Sequence, residues 1–407
     1  MTIRASTLAL AFSAALAAQP GAGFDPAITI ALGDALPAGM GDFSLHSRFQ
    51  EYSFPVLVAK QLGVVFPQPL FEAPGLGGVP GYTALPVRAP APQGATVRTK
   101  FPPDLFAFNL AVPGITVSEA ASIRVTPPLV QGGNAKQTMV NYIVGLPSLL
   151  LGSGKPLYTQ VEAAVSLRPS FVILAYGYSE VIEAAAAGDA NRLPLSAPFR
   201  QAYGSIAAKV AASFPNMLFV NVPDPMDTAW ANTVESIAPM LNASPDGIRR
   251  WWNLASGDMV TPAAFHAMGE QLDNGVPGGA LPDGSVIPAA FAAAVRARVA
   301  ALNQEIAALA AEHRAPVYDM AALLRGVRQN GVTVGGRRLT AVHLGGFYTL
   351  NGFFPGRVGN ALAANGILAL INSTHSRQYP LVDAAAIAGD DPAGRFAPTS
   401  IAGGAAQ

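Results

Sequence analysis

Apolar residues along the chain gather into five short runs, at residues 28–32, 105–110, 171–175, 217–222 and 316–319. Runs this short, with little polar alternation, predict strands covered on both faces, the habit of parallel sheets. Between them Phe199, Tyr203, Ile206 and Val210 recur at helical spacing. So do Phe291, Val295, Val299, Leu302, Ile306 and Leu309, on an alanine-rich helix reaching about Glu312. A last helix, from about residue 357 to 371, is expected to carry Leu362, Gly366 and Leu370 on one face. Strands alternating with helices predict a doubly wound α/β fold.

Two stretches break the alternation and read as loop-rich insertions. Residues 66–103 hold nine prolines and many glycines, so extended chain or small hairpins are expected there. Residues 240–288 carry Trp251, Trp252 and several Pro-Gly or Pro-Asp-Gly turns. Val332 to Arg338 suggests a hairpin. The tail, 381–407, is rich in alanine and glycine and reads as flexible. No internal repeat is found. A domain spanning 26–380 follows.

Composition narrows the partners. Hydrophobic residues make up 51% of the 407 and charged residues only 12%, with zero net charge. A large core is possible, and no basic face marks a nucleic-acid partner. With no cysteine, disulfides, thiolate metal sites and a cysteine nucleophile are excluded. Arg4, the apolar stretch 5–14 and Ala15-Leu16-Ala17 predict a signal peptide over residues 1–18, and hence a secreted or periplasmic protein. No cysteine follows it to carry a lipid, and no later segment predicts a membrane span.

The chemistry centres on residues 28–41. Ile28, Ile30 and Leu32 begin a buried strand, which breaks at Gly33-Asp34 into Ala35-Leu36. A strand turning sharply into a helix is how α/β hydrolytic folds present a nucleophile at the carboxyl edge of a sheet. Three more blocks follow: Asn109-Leu110-Ala111-Val112-Pro113-Gly114, Tyr176-Gly177-Tyr178-Ser179-Glu180 and Leu350-Asn351-Gly352-Phe353-Phe354-Pro355. In this order, across residues 26 to 375, the four resemble the SGNH/GDSL hydrolase family. The resemblance implies a three-layer α/β/α sandwich of flavodoxin-like type, with a parallel sheet of about five strands. It also implies that Ala35 stands where the family has its serine nucleophile, Gly114 and Ser179 where it has oxyanion donors, and Asn351 and Phe354 where it has the aspartate and histidine.

Ester hydrolysis on that plan needs a hydroxyl nucleophile, an imidazole base, a carboxylate behind it and donors for the oxyanion. A methyl group forms no acyl-enzyme, a phenyl ring accepts no proton, and an asparagine carries no charge. Where nucleophile and base are lost elsewhere, about 10³–10⁴-fold acceleration remains from binding and the oxyanion hole. The expectation is a degenerate, inactive hydrolase-like protein that binds an acyl, carbohydrate or other small-molecule ligand in the old cleft, without cofactor or metal. Tyr176, Tyr178 and Phe353 would line that cleft beside Phe354, with Asp34 capping the helix that follows.

Two alternatives are an esterase using another group, such as His343 brought in from the loop at 340–347, and a surface-interaction protein whose insertions matter more than the cleft. Ser44 and His46 read as a surface cap and an exposed histidine. His266, His313 and His375 lack metal-site spacing. Gly75-Leu76-Gly77-Gly78 follows no strand, which disfavours a dinucleotide loop. Arg249-Arg250-Trp251-Trp252 could stack a sugar or cover the core beneath an insertion.

Overall fold

The computed structural model describes residues 23–73, 75–81, 106–151, 154, 156–213 and 215–396. The proposed signal peptide and most of the proline-rich stretch lie outside them. Four parallel strands form the main sheet: β1 (Thr29–Gly33), β2 (Phe171–Ala175), β3 (Asn216–Val220) and β4 (Val317–Tyr318), in that order. Thr29 sits opposite Phe171, Phe171 opposite Asn216, and Phe219 opposite Val317. All five residues of β1 and of β2 are buried, so both faces are covered, as uniformly apolar strands require.

The remaining apolar run lies on the other side of β1. Ala31 pairs in parallel with Asn109; the Ala31 N–H donates to Phe108 O and the Leu110 N–H to Ala31 O, both at 2.9 Å. The pairing stays a single bridge, and the Asn109 side chain turns away onto Pro37 O. In chain order the five segments therefore run second, first, third, fourth, fifth across the sheet, the flavodoxin-like order, with its switch point beside β1.

The main helices, in chain order, are α1 (Ala35–Ala38), α2 (Phe54–Leu62), α3 (Gln160–Ser166), α4 (Tyr178–Ala187), α5 (Ser196–Ala211), α6 (Ala289–Glu312), α7 (Met320–Asn330) and α8 (Arg357–His375). Right-handed crossovers that step in opposite directions from β1 put their helices on opposite faces. Accordingly α2 packs with α8, whereas α5 packs with α3 and α6. On α5 the buried stripe is Phe199, Tyr203, Ile206, Ala207 and Val210, the spacing read from the sequence.

On α8 the expected face is displaced. Leu362, Gly366 and Leu370 are only partly buried, and the covered side is Val358, Ala361, Ala364, Ile367, Leu368 and Ile371. Small residues face inward there because α2 and Tyr318 approach closely; a Cβ on Gly366 would lie 2.4 Å from the Tyr318 ring.

The loop-rich stretch 240–288 also carries regular elements. It joins a three-stranded antiparallel sheet, Asn232–Thr233, Met259–Val260 and Val286–Ile287, to helices Pro245–Trp251 and Pro262–Asp273. Val234, Ile237, Ile248, Trp252, Val260 and Met268 form its own core. The Trp252 indole N–H donates to Gln271 at 2.9 Å, while Trp251 remains exposed. The hairpin pairs Val332–Val334 with Arg337–Leu339. In the described part of the tail, helix Ala384–Ala388 packs on α8, and Asp391 accepts the Val358 N–H at 2.8 Å; residues 397–407 lie outside the described residues. Among the described residues no helix is long and apolar enough to cross a membrane.

Candidate functional site

The site forms where β1 and β2 end. Gly33 closes β1 at φ 154°, and a Cβ there would lie 2.2 Å from Ala175 O, so only glycine lets the two strand ends approach this closely. Asp34 then turns inward, fully buried. One carboxylate oxygen accepts the N–H groups of Gly177 at 3.0 Å and Ser179 at 2.8 Å, and the other accepts the Leu36 N–H at 3.3 Å. It caps α1, as expected, and also ties the first block to the third. Burial outweighs these donors and raises its pKa from 3.8 to about 7.

Beneath this turn lies a buried polar clamp. The Gln160 amide donates to Gly33 O at 2.8 Å and Leu110 O at 2.7 Å, and its carbonyl accepts the Tyr176 hydroxyl at 2.6 Å. One side chain thus joins the ends of the three adjacent segments.

Ser179, in the first turn of α4, receives two backbone donors on its hydroxyl oxygen, the Ala35 N–H and the Gly114 N–H, each at 3.3 Å. Of these, the Gly114 N–H is one that the family resemblance assigns to an oxyanion. Here the protein's own hydroxyl takes that place. Ala35, Gly114, Ser179 and Phe354 line one cavity of about 50 Å³, with Met40, Pro113, Met139, Ile182 and Glu183 around them. Four positions drawn from four separate blocks therefore meet.

Asn351, the fifth, stands behind Phe354 rather than in the cavity. Its carbonyl accepts the N–H groups of Phe353 at 2.7 Å and Phe354 at 3.1 Å, while its amide donates to Asp42 O and, at 2.9 Å, to Thr349 Oγ1. Where the resemblance would place an aspartate behind an imidazole, this chain has an amide that folds the turn.

The aromatic residues expected to contact ligand do not reach the cavity. Tyr176 packs edge-on to Tyr203, and its hydroxyl is held by Gln160. The Tyr178 hydroxyl donates to Phe353 O at 2.7 Å, and its ring meets Phe354 edge-on. Phe353 stacks on Trp230 with centroids 4.7 Å apart. All three are at most 2% exposed. Their apolar area is used in packing and their hydroxyls are already paired, so with Asp34 they support the site from below. Burial moves both tyrosine pKa values well above the usual range.

The other candidates also fall elsewhere. His343 is buried against Phe265 and His266, not in the cleft; burial lowers its pKa to about 3. His46 and Ser44 are buried rather than on the surface, and burial lowers the His46 pKa to about 4.

Sequence reasoning missed Glu183, one helical turn beyond Ser179 and thus on the same face of α4; that spacing was the available signal. It also missed Glu180, which accepts the Val117 N–H at 3.3 Å and whose pKa burial raises to about 7.

The strand order is the flavodoxin-like one, and the four blocks that carry the resemblance to the SGNH/GDSL hydrolases lie at the sheet's carboxyl edge. No protein-family model and no curated protein sequence matches it. Among solved structures it is similar to TesA, with 11% identity over 85% of this chain and 98% of that one. It is also similar to LAE5, an α/β hydrolase from the metagenome of Lake Arreo, Spain, with 10% identity over 86% and 94%. Phospholipase A1 from Streptomyces albidoflavus NA297 matches with 13% identity over 85% and 98%. Each has a TM-score of 0.36.

Proposed function

We propose that this chain is an exported protein that uses a hydrolase-type cleft to hold a ligand without cleaving it. The observation that carries the reading is the cavity where Ala35, Gly114, Ser179 and Phe354 meet. The residues there offer two backbone N–H donors but no imidazole, and the position expected to attack bears a methyl group. Its mostly apolar walls suit the head of an acyl group better than a sugar, which needs several polar partners. The carbonyl oxygen of such a ligand would take over the Ala35 and Gly114 N–H groups after a rotation of Ser179. Export rests on Arg4 and the apolar stretch after it, and N-terminal sequencing of protein recovered outside the cytoplasm would check it.

The test pairs turnover with binding. Purified protein should release no p-nitrophenol from p-nitrophenyl butyrate above background. Octanoate should shift the Ala35 and Gly114 amide resonances. Turnover at ordinary enzymatic rates, abolished by Ser179→Ala, would overturn the reading in favour of hydrolysis by Ser179. That second reading has one support, the two N–H groups already aimed at the Ser179 oxygen.

A further inference from the structure

A second pocket, of about 390 Å³, opens beyond the carboxyl end of β3 and shares no lining residue with the cleft. Its size falls within the range of small-molecule sites. The turn after β3 supplies Asp224 and Asp227. Helix α6 contributes Arg296, Val299, Ala300 and Asn303, and α7 contributes Arg325 and Gln329.

The carboxylates are deep, with side chains only 9% and 14% exposed, while the guanidinium groups of Arg296 and Arg325 stand half in solvent at 50% and 55%. The charges face one another without closing. Arg296 Nε lies 3.7 Å from Asp224 Oδ2, and Arg325 Nε lies 3.6 Å from Asp227 Oδ2. Both separations exceed hydrogen-bond reach. Asp224 Oδ1 takes the Met226 N–H at 2.8 Å. Among the described residues no donor is bonded to Asp224 Oδ2 or to the Asp227 carboxylate. Asn303 does not compete, because its amide is used on both backbone groups of Val222.

Two guanidinium groups thus face two carboxylates. Groups this sheltered lose solvation and regain it only from hydrogen-bonding partners. An anion alone would meet the carboxylates on the floor, and a cation alone would meet the arginines at the rim.

We propose that this pocket binds a free α-amino acid. Its ammonium group sits between Asp224 and Asp227, its carboxylate faces Arg296 and Arg325, and its side chain runs along Val299 and Ala300. The proposal is independent of the reading of the cleft.

Calorimetric titration of the full-length protein at pH 7 with glycine, L-valine, L-glutamate and L-lysine tests it. At least one should bind, and the N-acetyl and methyl-ester derivatives of that amino acid should each bind at least tenfold more weakly. Asp227→Asn and Arg325→Gln should each weaken binding at least tenfold while the far-ultraviolet circular dichroism stays unchanged; Arg325 is exposed enough to be replaced without unfolding. No heat from any of the four, equal binding of a blocked derivative, or unaltered binding by folded Arg325→Gln would overturn the proposal.

Discussion

Replacing Asp34 by asparagine should stabilise the protein at pH 8 and weaken it slightly at pH 4. Asp34 is wholly buried, and its carboxyl pKa rises from 3.8 to about 7. Between those values the folded chain keeps a proton that the unfolded chain has released. Stability from this group is therefore fully present below 3.8 and is lost as pH rises through 7. A shift of 3.2 units (7 minus 3.8) at 1.36 kcal/mol each is worth about 4 kcal/mol. The asparagine amide resembles the protonated acid in shape and charge. Its oxygen still accepts from Gly177 and Ser179, and its NH₂ faces the Leu36 N–H, whose 3.3 Å bond is the weakest of the set. The loss at pH 4 should therefore be about 1 kcal/mol, and the gain at pH 8 about 3 kcal/mol. Urea unfolding of both proteins at pH 4, 5, 6, 7 and 8, followed by tryptophan fluorescence, measures the difference. Subtracting the two profiles removes the shared titrations of Asp224, His46 and His343. A variant less stable by the same amount at every pH would refute the reasoning, because it would mean that the three N–H donors hold the carboxylate ionised despite its burial.

Two further outcomes follow from the buried polar groups. Asn351→Asp should lower stability by about 3 kcal/mol in thermal or urea unfolding, because the amide now donating to Asp42 O and Thr349 becomes an acceptor facing the Asp42 carbonyl. An unchanged midpoint would contradict the assigned amide orientation. Gln160→Leu should cost about 2–4 kcal/mol by stranding the Tyr176 hydroxyl and the Leu110 carbonyl, while Gly33 O keeps the Val112 N–H; adding Tyr176→Phe should restore about 1 kcal/mol, a coupling that a double-mutant cycle measures.

Much of the central sheet was legible because its strands are uniformly apolar and the helices between them carry large residues at regular spacing. Residues 171–175 form β2 with the boundaries expected, and Ser196–Ala211 buries the stripe that its sequence displays. The segment from Asn232 to Ile287 was not legible. Its strands are two residues long, too short to alternate, and helix Pro262–Asp273 buries only Pro262, Ala264 and Met268. The covered face of α8 is not the one its spacing of Leu362 and Leu370 marks, because Val358, Ala361, Ala364, Ile367, Leu368 and Ile371 turn inward instead. At the site, block order revealed which positions meet, but sequence could not separate an aromatic ring that lines a cleft from one beneath it. Tyr176 and Tyr178 became structural only once their hydroxyl partners, Gln160 and Phe353 O, were known. Ser179 likewise carried no sign in sequence that its oxygen would occupy the place of an oxyanion.

The turn held by Asn351 limits what position 351 can become. A carboxylate there would first loosen the segment through Asp42, before any histidine at position 354 could make use of it. Building an acid–base pair across 351 and 354 would thus require a less stable intermediate, or a prior change that gives the Asp42 carbonyl another donor.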